Sequence, residues 1–441
     1  MAMVAASIER PPERRTAFAF KALLVFSCIY FGRPEDVIPG SQHIPVAKIT
    51  GGIALVALVA ALMSRKGKIR FPLEIKLLFL LLFQMCLSIP FAYWRGGAFE
   101  TVFSRFSKGV IIAVLVGMLI ETLPQVRKLL YVQAAAMCFT TIASLIVHRT
   151  DHGRLVGALG GIFENPNDLG ITIALNFPLC VAFFLLARGP IRKGLWALSA
   201  VAMLAGIAAT YSRSGFLAMA AGATVALWQF GVRGRRFGMI FVALIGVVAL
   251  PLVVPSHYVS RLGTILTMKE DVNPDGSLMS GESSEARRAL LRRSLDLMIK
   301  HPLLGIGPGN FPTFSGEWRV THNTYTEIGV ESGIPALILF LLVLYAAHRN
   351  LRSVQKSALY KQDSSIRIYT GGLVASFAAY LVGAFFSSTG YHLFPYFLVA
   401  YTTGLHRIAF SGAEKQKDIR VGLNGGKSRA NEPRKQLAFG R

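Results

Sequence analysis

The sequence predicts an all-α polytopic membrane protein of about twelve transmembrane helices with a large, partly helical loop on its outer side. Three observations carry this. Of the 441 residues 53% are apolar and only 16% charged, with a mean hydropathy of +0.49. Apolar runs of membrane-spanning length recur from end to end. The basic residues gather in short clusters in alternate connections, where the positive-inside rule puts them, so the net charge of +24 belongs to membrane topology and not to nucleic-acid binding. Cys28, Cys86, Cys138 and Cys180 all fall within apolar runs without metal-ligand spacing, which reads as core packing and excludes redox chemistry.

The elements follow in order. Arg10, Arg14 and Arg15 lead into the first apolar run, 17–32, without a small-residue cleavage site, so that run is expected to stay as an anchor. Further spans are expected at 47–63, 77–94, 103–120, 129–147, 169–186, 195–211, 215–230, 237–254, 325–347, 369–387 and 392–408. The connections after the second, fourth, sixth, eighth and tenth runs carry SRKGKIR, VRK, GPIRK, GVRGRR and HRNLRSVQKSALYKQ. These face the cytoplasm together with both termini. The opposite connections are longer and mixed in charge: FGRPEDVIPGSQH, RGGAFETVFSR, the 149–168 loop with FENPND, and a large insert over about 256–322. Nearly all the polar irregular backbone is therefore on the outer side, and the chemistry is expected there. Two units result: a transmembrane domain over 1–409 and a basic tail over 410–441 with no apolar period, expected to lie disordered against anionic lipid.

The large insert contains one helix signal, GESSEARRALLRRSLDLMIKHP, with Ser283 or Ser284 as N-cap and Pro302 as the stop. On a helical wheel Leu290, Leu291, Leu295, Leu297 and Met298 share one broad face, and Arg287 falls in its middle. Arg288, Arg292, Arg293, Asp296 and Lys300 take the solvated side. An arginine on a buried face is costly unless it meets an anion, so Arg287 reads as a ligand-binding residue, or else as half of a structural ion pair. Lys48, Arg105, Lys108 and Arg213 lie at or just inside the outer ends of spans, against the positive-inside pattern. Together they are expected to line a cationic pocket for a phosphate or pyrophosphate. Snorkelling to the interface is the alternative for Lys48 and Lys108. His322 brings a group that titrates near neutrality to the lipid–water boundary. Asn323, Glu327 and Glu331 follow it at four-residue spacing on one helical face, with pairing to Arg213 or Arg287 as the structural reading of the two glutamates. No metal site is expected: DxD, HExxH and clustered His/Cys spacings are missing from the outer loops. The GxGxG run of Gly305, Gly307 and Gly309 lacks a dinucleotide-fold context and reads as a turn with close backbone approach.

In combination, a helix with arginine, then HPLLGIGPGNF, then HNTYTEIGVESG entering a span, with NPND at 165–168 and SRSG at 212–215, resembles the O-antigen ligase and O-antigen polymerase superfamily of bacterial membrane glycosyltransferases. The resemblance covers most of the chain. It implies a C-type glycosyltransferase-like helical fold, a polyprenyl-pyrophosphate-linked glycan as donor, no metal and no cofactor. It maps the family's histidine onto His322, its loop-helix arginine onto Arg287, with Arg288 as the register alternative, and its serine-arginine pair onto Arg213. The implied reaction is inverting glycosyl transfer at the periplasmic face of the bacterial inner membrane, onto a glycan or lipid A core acceptor. Asn323 and Glu331 would orient the histidine end of the site, and Asn167 and Asp168 would contact sugar. Ligase and polymerase share these motifs. A protein O-oligosaccharyltransferase lacks support in the C-terminal region. A lipid-linked oligosaccharide flippase, a reading from a different class, would leave the His322 loop without a purpose, and no internal repeat is visible.

Overall fold

The computed structural model describes residues 14–32, 46–63, 71–158, 163–253, 284–316 and 318–410. The first outer connection, the SRKGKIR cluster, the insert up to Ser283 and the basic tail lie outside the described residues. The described chain is helical almost throughout. Its elements are α1 (Arg14–Gly32), α2 (Val46–Met63), α3 (Leu73–Ser88), α4 (Arg95–Leu119), α5 (Leu123–Val147), α6 (Pro166–Leu186), α7 (Pro190–Thr210), α8 (Arg213–Val232) and α9 (Phe237–Val253). After the insert come α10 (Ser284–Lys300), α11 (Phe311–Ser315), α12 (Thr324–Ser332), α13 (Ile334–Lys356), α14 (Ala358–Gln362), α15 (Ser364–Phe385) and α16 over 394–410. A two-residue hairpin, β1 (Thr150–Asp151) with β2 (Arg154–Leu155), bridges α5 and α6. Nine of the described helices, α2 through α8 with α13 and α15, are long and apolar enough to cross a membrane. The apolar part of α1, Thr16–Gly32, and the 17-residue α9 are slightly shorter. The expected all-α polytopic membrane architecture is what the chain forms.

Side chains close several helix starts. Asn165, Ser212, Asn323 and Asp363 each accept backbone N–H groups of the following turn, and Thr122 with Gln125 forms a capping box. Between helices, small residues set the approach. A Cβ on Gly215 of α8 would lie 3.0 Å from the backbone of Gly170 in α6, and one on Gly222 would lie 3.0 Å from Ala379 in α15. Lipid offers no hydrophobic drive for helix pairing, so close backbone contact supplies it through dispersion. The α6–α8–α15 bundle is the part of the fold that holds Arg213. Some polar groups inside the bundle are paired: Gln133 donates to Asn176 at 2.8 Å and accepts from the Tyr401 hydroxyl at 2.7 Å.

The single span expected over 325–347 is instead two elements. α12 is a short, buried helix, and the spanning helix α13 begins at Ile334. Gly333 breaks the run with φ +87°, and Pro335 in the next turn has no N–H to continue the ladder. The break leaves Glu327 and Glu331 buried in protein outside the spans, where a carboxyl is less costly than in lipid.

The stretch 301–311 straps across this break. Gly305, Gly307 and Gly309 have φ of +68°, +108° and +73°, and a Cβ on any of them would overlap a neighbouring residue: the Glu331 backbone, Ala92 or Thr101 respectively. Ile306 N donates to Val330 O at 2.9 Å, Gly307 N to Glu331 O at 2.9 Å, and Ile334 N to Pro302 O at 2.7 Å. Gln84 and Ser88 of α3 donate to Leu303 O and Leu304 O at 2.8 and 2.7 Å. The expected turn with close backbone approach is this strap.

Gly333→Ala should therefore destabilise strongly, because its φ is strained for alanine and its Cβ would overlap Leu303. The expected loss is about 2–4 kcal/mol, the strain plus the clash. Gly316→Ala, at φ +74° but in open space, should cost only about 1–2 kcal/mol. Denaturant unfolding in detergent compares the two, and equal losses would contradict the strap.

Candidate active site

Three helices begin at the same place. Arg213 is the first residue of α8, after Ser212, whose hydroxyl accepts from Gly215 N at 3.0 Å. Arg287 and Arg288 lie in the first turns of α10. Asn323 caps α12, its Oδ1 accepting from Tyr325 N and Thr326 N at 3.0 and 3.1 Å. These N-terminal turns border one cavity of ≈ 330 Å³, lined by Arg213, Ser214, Leu217, Arg287, Arg288, Leu291, Thr321, His322, Asn323, Phe385 and Phe386. Each helix N-terminus carries roughly half a positive charge. Three such ends and three guanidiniums, with no carboxylate among the described lining residues, make the cavity a receptor for a multiply charged anion. Leu217, Leu291, Phe385 and Phe386 give it an apolar wall fit for a lipid chain.

His322 is held in a costly conformation. Its φ is +52°, left-handed for a residue with a Cβ. Thr321 Oγ1 pins the turn from both sides, donating to Asn323 O at 2.9 Å and accepting from Asn323 N at 3.3 Å. The hydroxyls of Thr321 and Ser388 lie 3.1 Å apart, Thr324 Oγ1 donates to Ser387 O at 2.7 Å, and Thr389 N donates back to Thr324 Oγ1 at 2.9 Å. The segment after α15 thus fixes the histidine turn, and strain maintained by such a network is characteristic of functional positions.

The expected site residues fall into three groups. His322, Arg213, Arg287 and Asn323 come together at the cavity, and Arg288 joins them. The helical wheel set the two arginines apart; Arg287 is half-buried and Arg288 exposed, yet both line the cavity, together with Leu291 one turn on. Leu295, placed on the apolar face of that wheel, is exposed, while Ser294 is fully buried. The buried stripe of α10 is therefore narrower and rotated toward Leu290, Ser294 and Leu297.

The second group is scaffold. Asn167 is 3% exposed and its Oδ1 accepts from Arg154 at 3.0 Å and from Ser212 at 2.8 Å. It ties the NPND turn to the SRSG turn and sits behind Arg213, outside the cavity lining. Arg154 also donates to Thr210 O at 3.2 Å. Asp168, half-buried, accepts from Ser387 at 3.3 Å. Glu331, 2% exposed, takes Gly309 N at 2.7 Å, Phe311 N at 3.1 Å and the Tyr391 hydroxyl at 2.6 Å. It holds the strap 301–311 and does not border the cavity. The third group, Lys48, Arg105 and Lys108, also lies outside the lining. Of the outer cations expected to share one pocket, only Arg213 lines this cavity.

Sequence reasoning missed Arg154, Thr321 and the FFSSTGY run at 385–391. The last had a legible signal, a polar glycine-containing turn directly after an aromatic pair at the outer end of a span.

A family model described as O-antigen ligase matches residues 198–341, about a third of the chain, including Arg213, Arg287, His322, Asn323 and Glu331. No curated protein matches. The family match bears out the resemblance drawn from the motifs.

Burial pushes the Glu331 carboxyl up to about 7, against the pull of its hydrogen bonds and of Arg105, and pushes Glu327 well above the ordinary value of 4.5, with the Glu331 charge adding to the shift. A raised carboxyl keeps its proton when folded but loses it when unfolded, so its contribution is intact below about pH 4.5 and lost as pH rises to about 7. Thermal unfolding in detergent should accordingly shift to lower temperature between pH 5 and 7. Glu327→Gln, which removes one of the two titrating groups, should flatten that slope; an unchanged slope would contradict the assignment.

Proposed function

We propose that this membrane enzyme of the O-antigen ligase/polymerase kind is a ligase: it moves a polyprenyl-pyrophosphate-linked glycan onto a hydroxyl of an acceptor such as lipid A core, at the periplasmic face of the inner membrane. The observation that carries the reading is the cavity, where three arginines, three helix N-termini and His322 meet beside an apolar wall. The donor's pyrophosphate suits the cationic end and its polyprenyl chain the apolar wall. In the reaction the acceptor hydroxyl attacks the anomeric carbon opposite the pyrophosphate, the new C–O bond forms as the old one breaks, and configuration inverts. His322 accepts or orients the hydroxyl proton. Arg213 and Arg287, with Arg288 beside them, stabilise the charge that develops on the departing pyrophosphate. The guanidiniums supply the positive charge that a divalent ion supplies elsewhere, so no metal is required.

Two experiments test this. Purified His322→Ala should transfer glycan from a lipid-pyrophosphate donor at roughly 10²–10⁴-fold below the wild-type rate, with EDTA leaving the wild type unaffected; a variant at wild-type rate would remove His322 from the chemistry. Arg287→Ala should lose more than Arg288→Ala, since the half-buried guanidinium is less screened.

The acceptor is read in a deletion strain. Loss of a ligase leaves long glycan on the polyprenyl carrier and none on the acceptor. Single-repeat products would show a polymerase instead, and lipid-linked glycan trapped on the cytoplasmic side would show a flippase.

A further inference from the structure

Lys48, Arg105 and Lys108 form a site of their own. Lys48 is in the first turn of α2, Arg105 in the π-helical turn Thr101–Phe106 within α4, and Lys108 one turn further on. α2 packs against the segment of α4 that begins at Ser107, and Lys108 feels the charges of both Lys48 and Arg105. All three side chains are exposed, and none is in an ion pair with a described carboxylate. Like charges at this spacing repel. π turns concentrate at functional positions.

The surface around them is built for lipid. Ile49, Ile53 and Val56 of α2 are exposed on the same helix as Lys48. Phe99 and Phe103 of α4 are exposed with ring centroids 4.5 Å apart. A cluster of cations flanked by exposed apolar and aromatic side chains matches a lipid whose phosphate meets the cations and whose chains cover the apolar side chains. The Arg105 charge also reaches the buried Glu331 carboxyl, which sits at the end of α12 opposite the N-cap that borders the His322 cavity. Eight residues separate Asn323 from Glu331, about 12 Å along the helix axis.

We propose that Lys48, Arg105 and Lys108 bind the lipid-borne phosphate of the glycan acceptor, while the arginine-lined cavity takes the donor. This rests on the transferase reading above. It assigns each of two membrane-bound substrates its own phosphate contact, with the acceptor glycan reaching from one to the other.

The test uses the full chain in detergent. Without donor, native mass spectrometry measures retention of a phosphorylated lipid-glycan acceptor by the wild type and by the Lys48→Gln/Arg105→Gln/Lys108→Gln variant, so the result is independent of turnover. The expected outcome is retention by the wild type and roughly tenfold or greater loss in the variant, with recovery in Lys48→Arg/Arg105→Lys/Lys108→Arg. With donor present, the glutamine variant should raise KM for the phosphorylated acceptor, leave KM for the donor in place, and match the wild type on a dephosphorylated acceptor. Equal acceptor retention, a shift in donor KM instead, or equal displacement of the acceptor by phosphatidylglycerol would each overturn the proposal. If the wild type retains the acceptor but transfers nothing, the transferase reading fails and the phosphate site stands.

Discussion

The rest of the structure depends on bringing three positive helix ends to one point at the boundary of a membrane. The N-termini of α8, α10 and α12 and the side chains Arg213, Arg287 and Arg288 surround a single cavity, and like charges gathered this closely repel. Such an arrangement persists only when the surrounding contacts over-determine it. Those contacts are visible. Glycine-mediated packing of α6, α8 and α15 fixes the start of α8, Asn167 and Arg154 hold the turn that precedes it, and the strap 301–311 ties the end of α10 to α12. On the proposed reading the donor's pyrophosphate would supply the missing compensation, which is what preorganisation for a charged substrate means energetically.

Acid and base are kept apart by α12. Its N-cap faces the cavity, while Glu327 and Glu331 are buried further along the same helix with Tyr391 and the backbone of the strap. Carboxylates placed among the arginines would compete with the substrate for them. Placed behind, Glu331 accepts the hydrogen bonds that fix the strap. Lys48, Arg105 and Lys108 likewise lie outside the cavity lining.

Much of this was legible in the residues. Apolar run length and the placement of basic clusters give the helices, since lipid forces backbone hydrogen bonds inside each segment. His322 and Arg213 stood out as polar groups in tight turns at span ends, and Arg287 as a charge on an apolar helical face. What the sequence did not give is tertiary. Asn167 and Glu331 belong to the same motifs as the cavity residues but point into protein, a distinction set by packing and not by spacing. Arg288 reaches the cavity from the polar side of α10 because the lining runs along the first two turns of that helix, through Arg287, Arg288 and Leu291. The break at Gly333 was readable from GVESGIP, where a glycine and a proline interrupt the run and two glutamates precede it, and apolar length alone hid it.

The most direct measurement of the central claim is an experimental structure of the protein with a polyprenyl-pyrophosphate-linked glycan bound. The account predicts the pyrophosphate between Arg213, Arg287 and Arg288, with the His322 imidazole on the opposite side of the anomeric carbon. Pyrophosphate density on Lys48, Arg105 and Lys108, with the arginine-lined cavity vacant, would contradict it.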